Sequence, residues 1–121
     1  MCYGSNLANK IHSYKMWTPD TVKQTVASYE ILVFGKGSFE NPYDGHTKRA
    51  IDVLSAYGVP FKLIDITEDE SIMNALVEYS GWPIPQIFIS SKLIGGSDVL
   101  LELHENGQLS QILRAIKNNL V

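Results

Sequence analysis

Cysteine is nearly missing from this chain: Cys2 is the only one in 121 residues. One cysteine makes no internal disulfide, no CxxC redox pair and no thiolate metal cluster within a single chain. The setting expected from this is intracellular, with the choice between mitochondrion and cytoplasm left open. Long apolar runs are missing too, and none approaches the roughly eighteen residues that cross a bilayer, so no membrane partner is expected. A basic surplus is also lacking: 10 Lys and Arg stand against 13 Asp and Glu, a net charge of −3. Nucleic-acid surfaces need clustered cations, so no nucleic-acid partner is expected. Acidic residues are absent from Met1 to Trp17, which carries Lys10, His12 and Lys15, shows no clear period and has no arginine. That stretch reads as a flexible leader over residues 1–17. What remains has the length of one domain, and its 45% hydrophobic content is that of a globular chain.

The organising stretch is Lys36-Gly37-Ser38-Phe39-Glu40-Asn41-Pro42-Tyr43-Asp44-Gly45-His46-Thr47. It follows Ile31-Leu32-Val33-Phe34, an apolar run of strand length, and precedes a segment from Ala50 to Tyr57 with apolar residues on one helical face. Asp44 therefore falls at a helix N-terminus, where unpaired N–H groups and the helix dipole favour an anion. Aspartate ranks high as an N-cap. The same carboxylate could also serve as an oxygen ligand to a metal, with His46 beside it, although two ligands do not complete a site. Lys36 reads as an anion-binding cation, as a solvated lysine, or as an ion-pair partner of Asp44 across the loop.

The other elements follow in order. Thr18-Pro19-Asp20 starts a helix over Pro19–Ser28, with Thr as cap and Pro in the first turn. The second helix starts near Gly45 and ends at Gly58, reinforced by Pro60. A second strand spans Phe61 to Ile66. Thr67 is expected to cap a third helix whose first turn holds Glu68, Asp69 and Glu70, whose buried stripe is Ile72, Met73, Leu76 and Val77, and which Gly81 ends. Pro83-Ile84-Pro85-Gln86 leads into strand Ile87–Ile89, and Ser90-Ser91 turns it into strand Lys92–Ile94. After Gly95-Gly96, with Ser97 or Asp98 as cap, comes a helix with Val99, Leu100 and Leu103, closed by Gly107. A last helix carries Leu109, Ile112, Leu113 and Ile116. The first two strands, joined through a helix, should be parallel, and the last two a hairpin. The fold class is α/β: a four-stranded mixed sheet flanked by helices, the thioredoxin-like architecture.

Several motifs now coincide. Phe34-Gly35-Lys36-Gly37-Ser38, Pro42, Gly45, Gly58-Val59-Pro60-Phe61, Glu78-Tyr79-Ser80-Gly81-Trp82-Pro83, Ile84-Pro85-Gln86, Gly95-Gly96-Ser97-Asp98 and Asn106-Gly107 stand in order. From about Tyr29 to Leu113 the chain resembles a monothiol glutaredoxin of the Cys-Gly-Phe-Ser type, with residues 18–121 as the glutaredoxin-like domain. The resemblance implies glutathione as ligand, in a groove at the start of the second helix. Carried over by position, Lys36 would meet its glycyl carboxylate. Ile84 would pair through its backbone with the cysteinyl part, beside a cis Pro85, and Gly96, Ser97 and Asp98 would take the γ-glutamyl end. It also implies a [2Fe–2S] cluster shared by two subunits, with a homodimer or an iron–sulfur assembly partner.

The sequence departs from that pattern at named positions. Asp44 stands where the family has its cysteine, and His46-Thr47 where it has Phe-Ser. The loop before Pro85 lacks a threonine, and Met73 stands where the family usually has an arginine. Thiol chemistry at Asp44 is excluded, so no redox activity of the chain's own is expected. A non-catalytic protein-interaction module on the same fold is the alternative.

Overall fold

The structure is a computed structural model that describes residues 16–38, 41, 44–81 and 84–119. Among them are five helices and four strands, in the order α1 (Pro19–Ser28), β1 (Ile31–Gly35), α2 (Gly45–Ala56), β2 (Lys62–Asp65), α3 (Glu70–Ser80), β3 (Gln86–Ile89), β4 (Lys92–Gly95), α4 (Ser97–Glu105) and α5 (Gln108–Asn119). The sheet order is β2-β1-β3-β4. β1 runs parallel to β2 and antiparallel to β3, and β3 and β4 form the expected hairpin.

β1 is buried along its whole length because both of its faces are covered. Ile31 and Val33 point to one side with Ile87 and Ile89, under Leu54 of α2, Leu100 of α4 and Leu109 and Leu113 of α5. Leu32, Phe34 and Phe88 point to the other side, under Val22 and Val26 of α1 and Ile72 and Leu76 of α3. The alternation follows from the two-residue period of a strand. Each fully buried side chain of this size contributes about 1.5–3 kcal/mol.

Trp17, placed by the sequence reading at the end of a leader, is instead part of this second core. It is 7% exposed and meets Phe34 edge-on at 6.3 Å, and its backbone N–H donates to Ser71 Oγ at 2.8 Å. The ordered fold thus reaches back at least to Trp17; residues 1–15 of the expected leader lie outside the described residues, as do Pro42, Trp82 and Pro83.

Three local expectations change. Asp69, not Thr67, caps α3, accepting the Ser71 N–H at 2.9 Å. Thr67 is occupied elsewhere, donating its N–H and hydroxyl to Asp65 Oδ1, and aspartate is the better cap of the two. The buried stripe of α3 is Ser71, Ile72, Ala75 and Leu76; Met73 is only partly buried and Val77 is 39% exposed, so the helix is turned toward Ala75. α4 has Gly96 as N-cap and no side-chain cap, so neither Ser97 nor Asp98 plays that part. The β3–β4 turn falls at Ser90-Ser91, as expected. Ser90 and Ser91 both adopt positive φ, 53° and 69°, the conformation that suits the twist of a two-residue hairpin. Ser90 is secured there by Glu30, whose carbonyl accepts its N–H at 2.8 Å and whose carboxylate accepts its hydroxyl at 2.6 Å.

Candidate functional site

α2 packs on α4, and the N-termini of both helices face the loop before β3. Between them lies an open cavity of about 480 Å³ lined by His46, Ile84, Pro85, Gly96, Ser97 and Asp98, with Leu93 and Val99 at its apolar side. The Ile84–Pro85 bond is cis. Gly95 has φ +139°, and a Cβ there would come within 3.0 Å of Val99, so this junction between β4 and α4 admits only glycine. The loop before β3 is tied to α3 through Gln86, which is 3% exposed. Its Nε2 donates to Gly81 O at 2.6 Å, and its Oε1 accepts the Ser80 hydroxyl at 2.5 Å.

Asp44 is the N-cap of α2, as its position implied. Its Oδ1 accepts the His46 N–H at 2.8 Å and its Oδ2 accepts the Thr47 hydroxyl at 3.3 Å. Thr47 is fully buried, and its Oγ1 in turn accepts the Lys36 N–H at 3.1 Å. A cap on α2 and the loop after β1 are thereby joined through one hydroxyl. From the other side, Gly37 donates its N–H to Asp65 Oδ1 at 3.0 Å, with Gly37 itself at φ +97°. Burial of Asp65 raises its pKa, but the Thr67 hydroxyl and the N–H groups of Gly37 and Thr67 outweigh that, and the carboxyl lies below the usual aspartate value. The Lys36-Gly37 backbone is thus held by two side chains from different elements.

Of the residues singled out from the sequence, Ile84, Pro85, Gly96, Ser97 and Asp98 come together around the cavity, and His46 joins them. Lys36 does not line it, and among the described residues no ion pair links Lys36 to Asp44. Asp98 instead meets Arg49 of α2 at 3.6 Å, an exposed pair that contributes little stability. Among the described residues no three His, Cys, Asp or Glu side chains converge as a metal site, and no helix is long and apolar enough to cross a membrane. A larger open groove of about 850 Å³, bordered by Trp17, Tyr29, Lys62 and Glu68, lies along the α1–β2 side and holds none of the residues expected at the ligand site.

The glutaredoxin family model matches residues 31–94. A ycf64-like monothiol glutaredoxin of Synechocystis is 35% identical over 97 residues, which cover 79% of this chain and 91% of that one. This chain belongs to the glutaredoxin family. The mitochondrial monothiol glutaredoxin-S15 of Arabidopsis thaliana is 39% identical over 101 residues, covering 83% of this glutaredoxin and 60% of the longer plant protein. Among solved structures, a monomeric truncated mutant of Trypanosoma brucei 1-C-Grx1 superposes with a TM-score of 0.76 at 32% identity, covering 85% of this chain and 94% of that one. A buckwheat glutaredoxin–glutathione complex superposes with a TM-score of 0.71 at 28% identity, covering 80% and 87%.

Sequence reasoning missed two features of this glutaredoxin's site. The Thr47 and Asp65 hold on the Lys36 loop joins positions 11 and 28 residues apart. His46 was read only as a metal ligand or an exposed first-turn residue, yet it reaches Ser97, 51 positions on. Its place in the first turn of α2 was the available signal; its partner was not.

Proposed function

We propose that this chain is a glutathione-binding glutaredoxin connected with iron–sulfur handling, without thiol–disulfide oxidoreductase activity of its own. The observation that carries the reading is the single cavity in which Ile84, Pro85, Gly96, Ser97 and Asp98 meet, although the sequence separates the first from the last by a hairpin. Those are the positions that match the family's glutathione motifs, and a buckwheat relative of the same fold is a glutathione complex. The first turn of α4 has no side-chain cap, so its N–H groups are open to a carboxylate such as the γ-glutamyl end. Ile84 offers backbone groups to the cysteinyl part. Lys36, outside the cavity lining but on a doubly held loop, is proposed for the glycyl carboxylate by its position in the family pattern alone.

The absence of redox activity follows from the start of α2. Disulfide exchange needs a thiolate there, and the Asp44 carboxylate cannot form a mixed disulfide. A shared [2Fe–2S] cluster needs a sulfur ligand at the same place. Both oxygens of Asp44 are engaged within the chain, and iron in clusters prefers soft sulfur. The residues present do not fit a cluster held in that way. The connection with iron–sulfur handling therefore runs through glutathione and a second subunit or assembly partner.

A glutathione titration followed by NMR shifts tests the binding. Shifts confined to the first turns of α2 and α4 and to the loop before β3 are expected. Turnover in a hydroxyethyl-disulfide assay, retained after Cys2→Ser, would refute the redox part. The internally satisfied Asp44 favours a second reading, a non-catalytic interaction module, and an absence of glutathione shifts would move the assignment to it.

A further inference from the structure

The cavity contains a side-chain pair of which one member, His46, is outside the binding set above. His46 lies in the first turn of α2 and Ser97 is the first residue of α4. His46 Nδ1 is 3.3 Å from Ser97 Oγ. Ser97 is 4% exposed, while His46 stands at the open wall of the cavity. When the Ser97 hydroxyl donates to Nδ1, the neutral ring carries its own proton on Nε2. Nε2 has no partner among the described residues. The residue is also secured through its backbone, whose N–H donates to Asp44 Oδ1 at 2.8 Å. In that tautomer, an imidazole held at its backbone and at Nδ1 presents Nε2–H as a fixed donor, so little side-chain entropy is lost on binding.

We propose that His46 is a ligand-binding residue of this cavity, donating Nε2–H to the γ-glutamyl carboxylate of glutathione seated on the first turn of α4. The inference rests on the glutathione reading above and adds a residue to it. A carboxylate over the uncapped first turn of α4 lies next to Ser97 and hence next to the ring bonded to Ser97. The surroundings leave room for this donor. Asp98 would repel an anion, and Arg49 at 3.6 Å offsets it. The Ser80 hydroxyl is spent on Gln86 Oε1, and Gln86 Nε2 donates to Gly81 O. Among the described residues that line this end of the cavity, no other side chain offers a free donor to a second carboxylate oxygen.

The test pairs two ligands with two variants. Reduced glutathione and reduced cysteinylglycine, which lacks the γ-glutamyl group, are titrated into the wild-type chain, His46→Phe and His46→Gln. His46→Phe is expected to weaken glutathione about fivefold to tenfold, as befits a partly exposed hydrogen bond to a charged group, and to leave cysteinylglycine unchanged. His46→Gln keeps an N–H donor and is expected to recover part of the loss. Equal losses for both ligands would mean that His46 acts only through the fold, and no loss for either would mean that it makes no contact; each overturns the proposal while leaving glutathione binding intact. A wild-type chain that binds neither ligand overturns the proposal together with the reading on which it rests.

Discussion

Asp65→Ala removes the acceptor that holds the loop after β1 from the β2 side. Asp65 Oδ1 accepts the Gly37 N–H at 3.0 Å, the Thr67 N–H at 2.9 Å and the Thr67 hydroxyl at 2.6 Å. Thr67 is exposed, so water replaces its partner at small cost. Gly37 is buried, and its N–H would be left without a partner, which costs about 1–3 kcal/mol. The expected loss is therefore about 2 kcal/mol, and with a urea slope of about 1–3 kcal/mol/M the unfolding midpoint at pH 7 should fall by about 1 M. Asp65→Asn keeps an oxygen acceptor and gives up only the charge-assisted part, about 1 kcal/mol. The pH dependence separates charge from shape. The folded-state pKa is lowered, so the stabilisation is fully present above the unfolded value near 3.9 and is lost as pH falls through the folded value. Urea midpoints measured from pH 7 to pH 3 should show the gap between wild type and Asp65→Asn closing below about pH 4, because other carboxylates titrate alike in both. A gap that stays constant down to pH 3, or an Asp65→Ala midpoint equal to wild type, would refute the role assigned to this carboxylate.

Thr47→Val keeps the shape but leaves the Lys36 N–H without its acceptor at 3.1 Å and frees Asp44 Oδ2; a loss of about 1–3 kcal/mol by urea titration is expected, largely recovered by Thr47→Ser. Gly35→Ala places a Cβ 2.7 Å from Thr47 Cγ2, and since Thr47 is fully buried the chain should lose about 1–3 kcal/mol, read as a lower thermal midpoint. Asp44→Cys loses a cap contribution of about 1 kcal/mol but supplies a thiolate at the start of α2. Anaerobic reconstitution with iron, sulfide and glutathione should then give a coloured dimer that needs glutathione, whereas a colourless monomer would mean that the groove no longer takes the tripeptide.

Local chemistry in the sequence determined much of this protein. The caps Thr18 and Asp44, the left-handed stops at Gly58, Gly81 and Gly107, and the apolar runs of β1 and β3 each act through neighbours within a turn or a strand, and each stands where the sequence alone put it. The order of elements, with its motif spacing, was enough for the family and the sheet, since parallel β1–β2 and the β3–β4 hairpin follow from what joins them. Tertiary structure decided the rest. Periodicity says that a helix has an apolar face but not which surface that face will meet, so α3 turned toward Ala75 and left Val77 in water. Thr67, the cap expected from its place before three acids, is claimed by Asp65, one strand end away from Gly37, and Asp69 caps α3 instead. Trp17 belonged to no periodic segment, and only the pocket beside Phe34 and Ser71 made it part of the core. The site shows the same division. Asp44 could be placed by a local rule, but the contact of His46 with Ser97 exists because α2 and α4 pack together, and no spacing along one helix encodes where another helix begins.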